Sequence, residues 1–107
     1  MYHRLVIPPR ERLLQLARLI GPDVFVERFG SAHTAEPELG HLHALVDERL
    51  DHIVHMLVEE AAASDDITDI VSATAYLDDR LRMLEDFLAP EQAASIRAAF
   101  GEQTAVW

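Results

Sequence analysis

His41, Glu48, His52, His55 and Glu59 are the residues of this 107-residue chain whose types and spacing could do chemistry. With ~100° of advance per residue they fall in a helical stripe about 60° wide. Glu48 and His52 are four apart, as are His55 and Glu59, while His52 and His55 are three apart. Those spacings set side chains next to each other on one helix. Imidazole nitrogens with carboxylate oxygens suit Zn, Ni, Cu or Fe, so the chemistry would be coordination of a divalent transition metal. One helix rarely furnishes more than two ligands to one ion, so another helix or subunit has to complete the set. Asp78, Asp79, Glu85 and Asp86 are the donors that the following helix offers. The alternative is a solvated face with local ion pairs, or a pH-responsive interface, because imidazole titrates near neutrality. The apolar face of the same helix is centred about 130° away, which puts the stripe beside the core.

Other reactive groups are scarce. The chain contains no Cys and no Lys. Disulfides, thiolate metal sites, a Cys nucleophile, a P-loop lysine and a Schiff base are therefore excluded. Ser31, Ser64, Ser72 and Ser95 lack a glycine-elbow context, and Ser31 with His33 reads as a turn. Asp65-Asp66 and Asp78-Asp79 are adjacent acids that diverge on a helix and make no paired-carboxylate site alone. No complete catalytic constellation is present, and the chain is expected not to be an enzyme.

The elements that position the stripe read as helices throughout. Pro8 and Pro9 precede a helix over 10–20 with Leu13, Leu16, Ala17 and Ile20 on one face, stopped by Gly21-Pro22. A short helix over 22–30 carries Val24, Phe25 and Phe29, and residues 30–37 form a loop. A first long helix, from about Pro37 to Ala63, buries Leu42, Leu45, Val46, Leu50, Ile53, Val54 and Leu57. Ser64-Asp65-Asp66 cap a second long helix. Its heptad seam is Ile67, Ile70, Thr74, Leu77, Leu81, Leu84 and Leu88. Pro90 opens a last helix that buries Ala94, Ile96 or Ala98, and Phe100, and stops near Gly101. The short connection between the long helices makes them an antiparallel hairpin. The expected fold is all-α: one domain over 1–107, a small bundle of four to five helices around that hairpin. The N-terminal helices or a second copy must cover the Leu81-Leu84-Leu88 seam. Of the aromatics, Phe25, Phe29, Phe87 and Phe100 are expected in the core, with Trp107 on the bundle or in a partner's pocket.

Partial family resemblances touch single helices. His55, Glu59 and Glu60, as H-x-x-x-E-E, resemble one helix of the hemerythrin-like cation-binding proteins, which implies metal binding. The other His-bearing helices of that family have no counterpart after His55. Glu38-x-x-His41 looks like half of the ferritin-like metal motif, with no second half following. The stretch from Ile53 through Ala63-Ser64-Asp65 to Leu77-Asp78 is similar to the hairpin of copper-sensing repressors. Ala63 stands near the place of that family's first Cys, and its basic DNA surface is missing.

Charge bounds the partners. Nine Arg stand against 19 Asp and Glu, for a net charge of −10, and 50% of the residues are apolar. Residues 1–35 carry a net +2 and residues 36–107 a net −12. The acidic part repels phosphate backbones, so nucleic acid is not an expected partner. The chain has no apolar run near ~18 residues, so no membrane span is expected. The apolar stretch at Leu5-Val6-Ile7 is too short for a signal peptide, which points to the cytoplasm. The expected function is a non-enzymatic acidic interaction module: a regulatory, chaperone-like or accessory subunit. It would bind a protein partner with a basic surface, as a homodimer. The alternative is a metal- or small-ligand-binding helical protein using the His/Glu stripe.

Overall fold

The computed structural model describes residues 9–107. The reading of residues 1–8, with His3, Arg4 and the Leu5-Val6-Ile7 stretch, lies outside the described residues. Six helices follow one another: α1 (Pro9–Ile20), α2 (Pro22–Phe29), α3 (Leu39–Glu48), α4 (Leu50–Ala63), α5 (Ile70–Leu84) and α6 (Pro90–Thr104). The described residues are otherwise turns and irregular chain, with no strand. The buried apolar side chains form one cluster. Leu16 and Ile20 of α1, Phe25 of α2, Leu42, Leu45 and Val46 of α3, and Ile53 and Leu57 of α4 all reach it. From the C-terminal half come Leu77, Leu84, Ile96 and Phe100. Helix α4 lies at the centre, packed against α6, α1, α5 and α3.

The expected first long helix is interrupted at Arg49, which divides it into α3 and α4 and raises the helix count to six. Arg49 has φ −111° and ψ 17°, and its N–H is shared between the carbonyls of Leu45 (3.1 Å) and Val46 (3.2 Å). The apolar pattern runs through this break, and Leu45, Val46, Ile53, Val54 and Leu57 are all buried. What holds the bend is the Arg49 side chain. Its Nε donates to the Ile20 carbonyl at 2.9 Å, satisfying one of the free carbonyls at the end of α1. Gly21, at φ 117°, lets the chain turn directly into α2. A Cβ there would be strained at that φ and would stand 3.4 Å from the Arg49 guanidinium.

The second long helix starts later than the Ser64-Asp65-Asp66 reading expects. Asp69 is the N-cap of α5: its carboxylate accepts from the Ser72 N–H at 2.8 Å, and the Ser72 Oγ accepts from the Asp69 N–H at 3.2 Å. This reciprocal pair satisfies two exposed amides together, which a lone polar residue upstream cannot do. The cap also holds the Asp69 carboxyl below its ordinary range, chiefly through the Ser72 N–H. Leu77, Leu81, Leu84 and Leu88 of the expected heptad are buried, but at its start Ala73 is buried while Ile70 and Thr74 face solvent. Leu81, Leu84 and Leu88 are covered within the chain, where α1 lies on α5.

Helix α6 extends past Gly101 and buries Gln92, Ile96, Phe100 and Thr104, four residues apart, rather than Ala94 or Ala98. Gln92 is polar yet buried, and its bonds explain why. Its Oε1 accepts from the Ala89 N–H at 3.0 Å, and its Nε2 donates to the His43 carbonyl at 2.7 Å and to Asp47 Oδ1 at 2.8 Å. A buried amide with both ends paired locks the start of α6 to α3. Thr104 is satisfied through the Phe100 carbonyl at 2.9 Å.

Replacing Arg49 by Leu leaves the Ile20 carbonyl without its donor. Urea unfolding is expected to show a loss of about 2 kcal/mol, the worth of a charge-assisted hydrogen bond. Arg49→Lys should recover only part of it, because an ammonium cannot reproduce the fixed guanidinium geometry. An unchanged unfolding free energy in Arg49→Leu would remove the bend from its supporting role.

Candidate functional site

The bend at Arg49 divides the His/Glu stripe. His41 and Glu48 lie on α3, and His52, His55 and Glu59 on α4. On α3, His41 Nδ1 stands 3.7 Å from Glu38, and Glu48 accepts from Arg28 of α2 at 2.8 Å. On α4, His55 Nε2 and Glu59 Oε1 are 3.1 Å apart, one turn from each other and exposed, while His52 is half-buried. Of the donors expected from the next helix, Asp78 is bound by Arg97, and Asp86 accepts from Arg12 at 2.9 Å. Among the described residues, no group of three or more His, Asp or Glu converges as a metal site. Ser31 and His33 make the expected turn, with Ser31 Oγ accepting the His33 N–H at 3.3 Å.

The asymmetry of charge has a direct structural meaning. Arg10 approaches Glu36 at 4.0 Å, Arg12 pairs with Asp86, Arg18 with Glu60 at 3.5 Å and Arg28 with Glu48. Each arginine comes from the slightly basic N-terminal third, and each acid from the acidic remainder. The two parts of the sequence are electrostatic counterparts inside one fold. These exposed pairs are individually weak, and together they orient α1 and α2 on the acidic helices.

A cleft of about 470 Å³ opens between α1, the end of α4 and α5. Arg18 and Leu19 line it from α1, Glu60 from α4, and Tyr76, Arg80 and Leu84 from α5. The Tyr76 hydroxyl donates to Glu60 Oε2 at 2.7 Å. Arg80 donates to Gln15 Oε1 at 3.3 Å and lies 5.3 Å from the centre of the Tyr76 ring. Burial pushes the Tyr76 hydroxyl up to about 12 from an ordinary 10, helped by its bond to Glu60 and that carboxylate's charge, with Arg80 acting in the opposite direction. Of this group the sequence marks only Glu60, as part of H-x-x-x-E-E, and for a different role. Tyr76 and Arg80 are four apart on α5, a readable signal, but Glu60 and Arg18 join them only through packing.

A second feature is apolar. Val71 is 78% exposed, Ile70 46% and Val106 90%. Ile67 and Trp107 are half-buried and share a small cleft with Ala62 and Thr68. Trp107 therefore rests on its own bundle, against the core. Phe25 and Phe100 are in the core, and Phe29 and Phe87 pack on it.

Tyr76 makes the alkaline stability of this Lys-free chain informative. A phenol whose folded value is raised stabilises the fold fully below pH 10, and that contribution is lost as pH rises from 10 to about 12. Urea midpoints are expected to fall across this window, and to fall less steeply in Tyr76→Phe. Equal slopes in the two proteins would show that folding does not raise the Tyr76 hydroxyl. No known protein family, curated protein or solved structure matches the chain.

Proposed function

We propose that the chain is a non-enzymatic acidic helical interaction module, a regulatory, chaperone-like or accessory subunit that binds a protein with a basic surface. The observation that carries this reading is the start of α5, where Ile70 and Val71 are exposed, next along the chain to Ile67 and Thr68, which share a small cleft with Trp107. Asp65, Asp66 and Asp69 stand beside it in sequence, all exposed. Among the described residues, Asp65 and Asp66 take part in no ion pair. An apolar centre beside charges of one sign suits a partner that presents an apolar contact flanked by Arg or Lys. The reading takes the chain as one cytoplasmic domain, with α4 and α5 as its antiparallel hairpin. No helix among the described residues is long and apolar enough to cross a membrane.

A homodimer belongs to the same proposal, on a different surface from the leucine seam. Leu81, Leu84 and Leu88 are buried within one chain, so a second copy would meet the exposed Ile70 and Val71 instead. The second reading is a divalent transition metal held by the His/Glu stripe. It is favoured by the exposed His55–Glu59 pair, with His52 on the same helix. A second chain would have to complete the ligand set.

Retention of a basic protein from cell extract is expected at low salt, with loss at high salt and in Val71→Asp or Asp65→Asn/Asp66→Asn. Light scattering behind a sizing column should show a dimer that Val71→Asp dissociates. Retention indifferent to salt and to both variants would overturn the interaction reading, and a monomer at micromolar concentration would remove the dimer. For the metal reading, elemental analysis should find metal in the native protein. Zn or Ni should raise its melting temperature, and His52→Ala with His55→Ala should abolish the rise. Metal-free protein with an unmoved melting temperature sinks that reading.

A further inference from the structure

Arg80 is an arginine placed differently from the others. Arg10, Arg12, Arg18, Arg28 and Arg97 each face a carboxylate. Arg49 is bonded to a backbone carbonyl, and Arg82 is exposed to water. Arg80 is half-buried in the α1–α4–α5 cleft and, among the described residues, has no carboxylate partner, although acids outnumber arginines 19 to nine. Its contacts are the neutral amide of Gln15 at 3.3 Å and the face of Tyr76. A guanidinium has five donors, and a partly desolvated one is costly to leave unpaired by an anion.

The one carboxylate in the cleft is already engaged. Glu60 accepts from Tyr76 at 2.7 Å and from Arg18 at 3.5 Å. Two guanidiniums against one carboxylate leave the cleft at a formal +1 in a molecule of net −10. Arg18 is 70% exposed at the rim, so its remaining donors are accessible. Leu19, Ile67 and Leu84 supply an apolar wall. The volume of about 470 Å³ falls in the range of small-molecule sites.

We infer that this cleft binds a small monocarboxylate with an apolar body, its carboxylate held by Arg80 with help from Arg18 and its body against Leu19, Ile67 and Leu84. A planar carboxylate matches the guanidinium fork, and the surplus of one positive charge matches one negative charge. Glu60 disfavours a doubly charged anion such as phosphate by direct repulsion. The inference rests on Arg80 and Arg18 and not on the exposed Ile70 and Val71, although Ile67 lines both this cleft and the small one beside Trp107. It gives the molecule a ligand site that neither the His/Glu stripe nor the start of α5 supplies.

The test is calorimetric and thermal titration of the full chain with benzoate and 3-phenylpropionate, against benzyl alcohol and inorganic phosphate. At least one of the two acids should saturate. At roughly tenfold excess over its Kd it should raise the melting temperature by about 5 °C. Benzyl alcohol, which lacks the charge, and phosphate, which lacks the apolar body, should not. Arg80→Gln should weaken binding by about tenfold or more without lowering the melting temperature of the free protein, since it removes an unpaired charge. Arg18→Gln, on the exposed rim, should weaken it by a smaller factor, and Arg82→Gln should leave it unchanged. Failure of both acids to saturate, equal binding of phosphate, or undiminished binding by both Arg80→Gln and Arg18→Gln would overturn the inference.

Discussion

The hydrogen bond from Arg49 to the Ile20 carbonyl is the contact on which the rest of the arrangement depends. It ties three corners together: the end of α1, the turn into α2 at Gly21, and the bend between α3 and α4. A straight helix over 39–63 would carry Leu42, Leu45 and Val46 in line with Ile53 and Leu57. With the helix broken at Arg49, both apolar runs still lie in one core. Gly21 matters for the same reason, since its φ of 117° strains any residue with a side chain. A helix normally bends where a side chain or a sequence defect interrupts its ladder, and here the shared Arg49 N–H marks the place.

Two polar side chains near the core, Gln92 and Tyr76, are held by pairing across helices. Gln92 uses both ends of its amide to join the start of α6 to α3. Tyr76 and Glu60 bridge α5 and α4 in the same manner. Arg80 departs from that pattern, with a neutral amide and an aromatic face where its neighbours have carboxylates. Arg49 also lacks a carboxylate, but its Nε is spent on the Ile20 carbonyl, whereas Arg80 has only a neutral amide and a ring face.

Much of the fold was legible because helical periodicity is local. The faces Leu13-Leu16-Ala17-Ile20 and Leu42-Leu45-Val46-Ile53-Val54-Leu57 read directly as core and are buried. The seam of the second long helix was less legible. Ile70 and Thr74 match a heptad as well as Ala73 does, and a small residue carries little periodic weight. Leu77, Leu81 and Leu84 read correctly, and only the packing of α1 and α6 around α5 selects Ala73 over Ile70 and Thr74. In α6 the same weakness hides the stripe, since alanines occupy both faces and two of the four buried positions are polar.

The candidate site divides along the same boundary. Sequence by itself determined the all-helical class, most of the core positions, the exclusion of Cys and Lys chemistry, and the opposed charges of the two parts of the chain. Those follow from residue type and from spacing within one helix. Tertiary structure decided that the His/Glu stripe is split by a bend, that the N-terminal arginines meet the acidic helices, and that Arg18, Glu60, Tyr76 and Arg80 share a cleft. These residues are up to 62 positions apart, and no local periodicity specifies a meeting across three helices. The physical reason is that a helix dictates only its own faces, whereas packing decides which faces meet.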